Sequence, residues 1–232
     1  NRLRFCVLGV AFYKDSPRRM GASLHSNHLA RVLAHYKELG KAAPVMSILG
    51  HHPAFNLGVL AATPYGNDDY ASIGGFLDEP LRLVPSVTCG DEFLVPADAE
   101  IIIEGEIPPD ESEVVDPFGE VTRFYQPQCI RQAFNVKAIT MRKKPIMQDI
   151  FSGHRGHWNL GSIPKEGSIY NTLQNRFGNI VAVHMPHYLC SRLGCYISIK
   201  NRLPGIAKQV GHATLLESSF FQFVVVVDEE ID

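Results

Sequence analysis

Apolar and β-branched residues over 4–12 predict a first strand. A polar turn over 14–21 follows, punctuated by Asp15, Ser16, Pro17 and Gly21. Leu29, Val32, Leu33, Tyr36 and Leu39 then recur at helical spacing, with Asn27 placed to cap the start and Gly40 to end it. Residues 44–49 predict a short buried strand. Pro53, a favoured first-turn proline, opens a second helix carrying Phe55, Leu57, Val59 and Leu60, and residues 65–69 form a polar turn. From about Leu81 the period shortens, and residues 81–84, 92–95 and 100–106 read as strands. Residues 134–142 and 145–150 predict a hairpin around Lys143 and Lys144. A helix is predicted over 164–177, with Ile169, Leu173 and Phe177 on one stripe. Strands at 179–185, 195–200 and 221–228 follow, the last two separated by a helix over 204–218. Many short strands and few helices in irregular order predict an α+β fold on a barrel-like sheet rather than a doubly wound one.

Composition removes several function classes. A chain of 232 residues with 45% apolar and 20% charged residues can bury a real core. A net charge of -2 gives no electrostatic footprint for nucleic acid or an anionic membrane. The five cysteines are odd in number and show no CxxC spacing, which suits free thiols in a reducing cytoplasm better than a disulfide framework. The longest apolar run, residues 220–227, is broken by Gln222 and is too short for a membrane span. The chain opens on Asn1 without an initiator methionine and stops soon after a strand, so a piece of a longer protein is expected. Phosphate-loop, dinucleotide and serine-elbow fingerprints are missing. His154, His157 and Trp158 form a polar aromatic cluster without zinc-ligand spacing, and His51-His52 reads as a loop pair.

The chemically suggestive stretch is 104–120, with Glu104, Glu106, Asp110, Glu111, Glu113, Asp116 and Glu120. A solvated acidic loop is the ordinary reading. Against it, Phe118 stands between Pro117 and Gly119, a rigid apolar point that asks for burial and would carry Glu120 to a less solvated place. A carboxyl group there is suited to act as a general acid.

Asp116-Pro117-Phe118-Gly119-Glu120 resembles the Glu-Gly-Pro-Phe-Gly-Glu motif of UbiD-type decarboxylases. The segment 95–105 before it is similar to the family, as are 40–54 upstream and 197–209 with 224–232 downstream. The resemblance implies one domain over 1–232, the central flavin-binding and catalytic domain, built as a flavin-reductase-like split β-barrel with peripheral helices. It implies reversible, non-oxidative decarboxylation of an aromatic or α,β-unsaturated acid. By the same analogy Glu120 is the proton donor. The family's first glutamate falls on Val115, with Asp116 the nearest carboxylate. The family arginine is either Arg4 or, in another register, a position held by Cys6; Arg4 is preferred.

The resemblance further implies prenylated FMN with a divalent metal, Mn2+ above others, and K+ as a second ion. Asn1, His28 and Asp68 are its metal ligands, Asp68 being preferred to Asn67 as the harder donor. His28 and Lys208 are placed at the flavin phosphate. Implied partners are a small carboxylic acid, a flavin prenyltransferase that supplies the cofactor, and further copies of the full-length chain in a homo-oligomer. Nucleic acid and a membrane span are not expected. Two rival readings stand beside this one: a flavin-binding or flavin-reductase-like protein without decarboxylase chemistry, and a domain serving assembly alone.

Overall fold

The computed structural model describes residues 9–12, 18–23, 27–61, 68–200 and 203–231. The fold is α+β, and no closed barrel is formed among the described residues. The chain separates into two compact units. The first comprises 1–59, 63–118 and 125–149; the second comprises 60–62, 119–124 and 150–232.

The first unit is built on β6 (Ile101–Ile107), which pairs antiparallel with β3 (Ala43–Leu49) on one edge and β10 (Cys129–Met141) on the other. β2 (Arg19–Ser23) and β1 (Gly9–Phe12) extend the sheet beyond β10. Side chains alternate across a strand. Ile103 and Ile107 therefore join Met20, Ala22 and Phe134 in one core cluster, with Leu33 and Val45 packed on it, while Ile102 joins Val95 and Ala99 in another. Gly105 sits where the β6–β10 register shifts, and any Cβ there would meet the Asn135 carbonyl and the Phe134 ring.

The stretch 104–120 is not a loop. Residues 104–107 belong to β6, and 112–115 form β7 (Ser112–Val115), which also pairs with β10. The two arms run as one long ribbon with an irregularity at Pro108-Pro109. Most of its carboxylates are sheet-surface ion partners: Glu106 with Lys137 at 2.5 Å, Glu111 with Arg19 at 2.7 Å, Asp110 with Lys37 at 3.2 Å, and Glu113 with Arg19. Glu104 differs, being 1% exposed. It accepts bonds from the Ser86 and Thr88 hydroxyls (both 2.6 Å) and the Val87 and Thr88 amides (3.1 and 2.9 Å), in the turn between β4 (Leu83–Ser86) and β5 (Gly90–Pro96).

Helices α1 (Asn27–Glu38) and α2 (Pro53–Leu60) follow the predicted signals, with Gly40 at a φ of 61° after α1. Helix α3 (Asp69–Leu77) replaces part of the expected polar turn, because the Asp68 carboxylate caps it by accepting the Tyr70 amide at 3.0 Å. Residues 145–150 form no strand. Their polar groups are satisfied otherwise: the Ile146 amide donates to Glu100 at 3.0 Å and the Gln148 side chain accepts the His51 amide at 3.4 Å.

In the second unit, β11 (Ile180–His184) is antiparallel to β12 (Gly194–Ile199), which is parallel to β13 (Phe223–Asp228). The parallel pair is joined through α5 (Ile206–Leu215), the usual device for such a connection. α5 and α4 (Arg155–Phe177) bury Ile169, Leu173, Ile197, Ile199 and Val210 in a common core. α4 begins well before the predicted Pro164, which lies in its interior rather than its first turn. Among the described residues no helix is long and apolar enough to cross a membrane.

Candidate active site

Within the second unit, Glu120 lies in a tight turn. Its carbonyl accepts the Arg123 amide at 3.0 Å, its amide donates to the Phe124 carbonyl at 2.9 Å, and Oε2 accepts the Val121 amide at 2.8 Å. Arg123 takes a left-handed φ of 68° to close the turn. Its Nε donates to the Gly153 carbonyl at 3.2 Å and its guanidinium lies 4.5 Å from the centre of the Trp158 ring. Gly153, at a φ of 68°, leaves room for the Arg123 stem: a Cβ there would come within 2.8 Å of Cγ. Trp158 is buried, and its indole Nε1 donates to the Val121 carbonyl at 2.9 Å. The turn that carries Glu120 is thus tied to α4 through an arginine and a tryptophan.

His157, in the first turn of α4, is half-buried. Its Nδ1 accepts the Gly153 amide at 3.4 Å, which assigns the hydrogen to Nε2 in the neutral ring. Burial lowers its pKa below the ordinary histidine value; the charge of Glu120 opposes this and that of Arg192 adds to it. Arg192 is also lowered by burial, with Glu120 opposing. The charge of Glu120 thus acts on both His157 and Arg192, and that of Arg192 on His157.

Arg192 is delivered by a segment wound after β11. Here the His187 Nε2 lies 2.6 Å from Asn159 Oδ1 and the His187 ring lies 5.7 Å from Trp158. Cys190 and Ser191 follow at φ of 53° and 47°. Two successive non-glycine residues in that region cost about 1–2 kcal/mol each. Ser191 is fully buried, and its hydroxyl has no partner among the described residues. Strain of this kind concentrates where a following side chain must be aimed. The side chain aimed is Arg192, whose Nη1 donates to the Gly161 carbonyl on α4 at 2.9 Å.

The other residues singled out from the sequence are dispersed. Asp116, in the first unit, is exposed and accepts Gln128 Nε2 at 3.1 Å. Val115, at the position of the family's first glutamate, is 2% exposed and packs its side chain where a Cβ on Gly21 would otherwise stand. His28 lies in the first turn of α1, and one oxygen of Asp68 is engaged as the α3 cap. Among the described residues no group of three His, Cys, Asp or Glu is arranged to hold a metal. Lys208 is exposed in the first turn of α5. Asn1, Arg4 and Cys6 lie outside the described residues, as does Asn67. Conversely, Arg123, Gly161 and Arg192 carried no signal in the sequence, and the roles of His157 and Trp158 emerge only from where α4 begins.

Residues 4–155 match the family model described as the 3-octaprenyl-4-hydroxybenzoate carboxy-lyase Rift-related domain (UbiD), and residues 158–232 match the C-terminal domain model of the same carboxy-lyase. Among solved structures, the chain is similar to an evolved dimeric form of the UbiD-class enzyme HmfF from Pelotomaculum thermopropionicum in complex with prFMN. The identity is 34% and the TM-score 0.87, over 94% of this chain and 50% of that one. It is also similar to the closed form of vanillic acid decarboxylase from Sedimentibacter hydroxybenzoicus, at 26% identity and a TM-score of 0.84, over 96% of this chain and 47% of that one. The apo 3,4-dihydroxybenzoic acid decarboxylase of Enterobacter cloacae shares the fold at 24% identity and a TM-score of 0.86, over 99% and 49%. The chain spans about half the length of these proteins. By the match over most of its length, and by its likeness to HmfF, this chain belongs to the UbiD family of carboxy-lyases.

Proposed function

We propose that the protein is a reversible, non-oxidative decarboxylase of an aromatic or α,β-unsaturated acid, with Glu120 as the proton donor. The observation that carries this reading is the Glu120 turn bonded to α4 through Trp158, within the unit where the charge of Glu120 acts on both His157 and Arg192. A carboxylic acid entering such a site meets a partly desolvated guanidinium. One of its N–H donors is engaged at the Gly161 carbonyl, and others can hold the substrate carboxylate. His157, neutral with hydrogen on Nε2, offers a donor without adding a second full charge. As the bond between the carboxylate carbon and its neighbour breaks and CO2 departs, Glu120 delivers a proton to the carbon left behind. Its turn, fixed by Arg123 and Trp158, holds it for that transfer.

Prenylated FMN is the proposed cofactor, since HmfF has been solved in complex with prFMN and with FMN; its ring would supply the electron sink for the departing carboxylate. One feature of the first unit suits a bound flavin. His51 Nδ1 accepts the His52 amide at 2.8 Å, so Nε2 carries hydrogen, yet that buried atom has no acceptor among the described residues. A flavin carbonyl is a suitable acceptor for it. The metal set Asn1, His28 and Asp68, filled by Mn2+ with K+ nearby, is proposed on family resemblance, and no step depends on it. The split β-barrel is likewise proposed for the first unit, supported by the long strand β10 pairing with β2, β6 and β7. Cofactor supply by a flavin prenyltransferase and homo-oligomerisation of the full-length protein complete the proposal.

A flavin-binding protein without decarboxylase chemistry is the second reading, favoured by one observation: Val115 stands buried where the family has its first glutamate, and Asp116 is turned to solvent. Co-expression of the full-length protein with a flavin prenyltransferase, followed by absorbance spectra and CO2 release from aryl and cinnamic-type acids, separates the two. CO2 release that disappears in Glu120→Gln with the flavin retained supports the decarboxylase; a bound flavin with no turnover on any acid supports the second reading.

A further inference from the structure

Helix α4 carries a bare patch. Gly161 is buried and presents no side chain, and Pro164, three residues on, lacks the amide hydrogen that would bond the Leu160 carbonyl. The acceptor freed by Pro164 is the Leu160 carbonyl; at Gly161 the missing side chain leaves the neighbouring carbonyl within reach of an outside donor. The Arg192 guanidinium occupies the opening and bonds the Gly161 carbonyl at 2.9 Å. A Cβ on Gly161 would fall on this group, 2.6 Å from Nη1 and closer still to Cζ and Nη2. Those are the three nearest atoms, and all belong to the far end of one flexible side chain. The backbone at Gly161 is helical, so glycine is not needed there for conformation. It is also a poor helix former, which makes its presence in mid-helix a cost without a local return.

We infer that Gly161 is a positioning residue whose missing side chain seats Arg192, so that the size of residue 161 decides whether the site recognises a carboxylate. This rests on the proposed role of Arg192 in holding the substrate. The backbone on the other side of Arg192 agrees with it. Cys190 and Ser191 are held left-handed, and the buried Ser191 hydroxyl goes without a partner, in the two residues that lead the guanidinium onto the helix. The side chain is thus fixed from behind by a strained turn and from in front by an open helix face. An added methyl group at 161 removes the second support. The guanidinium would have to leave its present position, since the methyl carbon would stand 2.6 Å from Nη1 and closer still to Cζ and Nη2.

The test uses full-length protein carrying its flavin, with benzoate as the binding probe read by titration calorimetry. Gly161→Ala, Arg192→Ala and the double variant are compared with the parent, together with melting temperatures. Loss of a charge-assisted hydrogen bond predicts benzoate binding weaker by about tenfold or more in Gly161→Ala. The melting temperature should hold or rise, since alanine favours the helix. With substrate, KM should rise while kcat changes less, as expected when ground-state binding is lost. The double variant should bind benzoate no worse than Arg192→Ala. Binding in Gly161→Ala within about twofold of the parent, while Arg192→Ala loses it, would overturn the inference and leave the site reading standing. Parent-like binding in Arg192→Ala would overturn both. An early-melting Gly161→Ala, or a double variant weaker than Arg192→Ala by the full Gly161 effect, would show that the methyl group acts on the fold or elsewhere, and would also overturn it.

Discussion

Trp158→Phe tests the claim that α4 holds the Glu120 turn. The substitution keeps a buried aromatic ring and removes one donor: the indole Nε1 that bonds the Val121 carbonyl at 2.9 Å. Val121 is 4% exposed, so water cannot readily replace the donor. Leaving a buried acceptor unsatisfied costs about 1–3 kcal/mol. The Arg123 guanidinium, 4.5 Å from the ring centre, keeps a partner but a weaker one, losing part of a contact worth about 0.5–1 kcal/mol. Together with the smaller ring volume, the expected destabilisation is about 2–3 kcal/mol. The chain has one tryptophan, which the variant deletes, so urea unfolding should be followed by far-ultraviolet circular dichroism rather than by fluorescence. Hydrogen exchange at the amides of residues 121–124 should accelerate relative to those of β12. If Glu120 is the proton donor proposed above, turnover should fall, because a displacement of about 1 Å at such a group costs about a hundredfold. A destabilisation below about 0.5 kcal/mol with unchanged exchange at 121–124 would refute the reasoning.

Glu120→Gln should retain flavin, seen in the absorbance spectrum, and lower kcat by about 10²–10⁴-fold; parent-like turnover would remove Glu120 from the proton-donor role. For Glu104, burial pushes the pKa up, and bonds from Ser86, Thr88 and Val87 more than offset it, leaving the group below the ordinary carboxylate value. Its stabilising contribution should be full above the unfolded pKa of about 4.3 and lost as pH falls through the folded value. Glu104→Gln, facing four donors with one acceptor oxygen, should cost about 1–3 kcal/mol at neutral pH and flatten that acid dependence in pH-resolved denaturation. His157 is depressed by burial, so its neutral form is favoured above about pH 6.5 and the associated stability is lost as pH falls through the lower folded pKa. An acid limb of kcat/KM in that range should disappear in His157→Gln, and persistence of the limb would assign it to another group. His28→Ala should lower metal content and flavin retention together, and metal loss without flavin loss would show that the two are not linked.

The legible parts of the sequence were those whose signals are local. Gly40 and Pro53 mark helix ends because C-terminal capping and proline geometry act within a few residues. The family was legible through the motif that ends on Glu120. Pro164 misled, because a first-turn proline and an interior proline look alike without the packing that supports the longer helix; Trp158 and His157 were displaced from α4 by the same error. Helix α3 was hidden by two glycines of low helix propensity and revealed by its Asp68 cap. The acidic stretch misled for a different reason. Glu106, Glu111 and Glu113 are polar because they face cations on Arg19 and Lys137 of neighbouring strands, partners far away in sequence. Arg192 was illegible for that cause as well: tertiary packing brings it to the Gly161 carbonyl on α4, and no spacing rule links two such residues.

The Val121–Trp158 bond also bears on modularity. Family models divide the chain near residue 156, whereas residues 119–124 cluster with the second compact unit although both their flanks belong to the first. A fragment excised at the family boundary would carry Trp158 without its carbonyl partner, and Arg192 without its carboxylate neighbour. Inheritance of the C-terminal segment by recombination would therefore deliver a scaffold without Glu120, and an exchange between relatives that preserved these contacts would have to move the six residues 119–124 along with it.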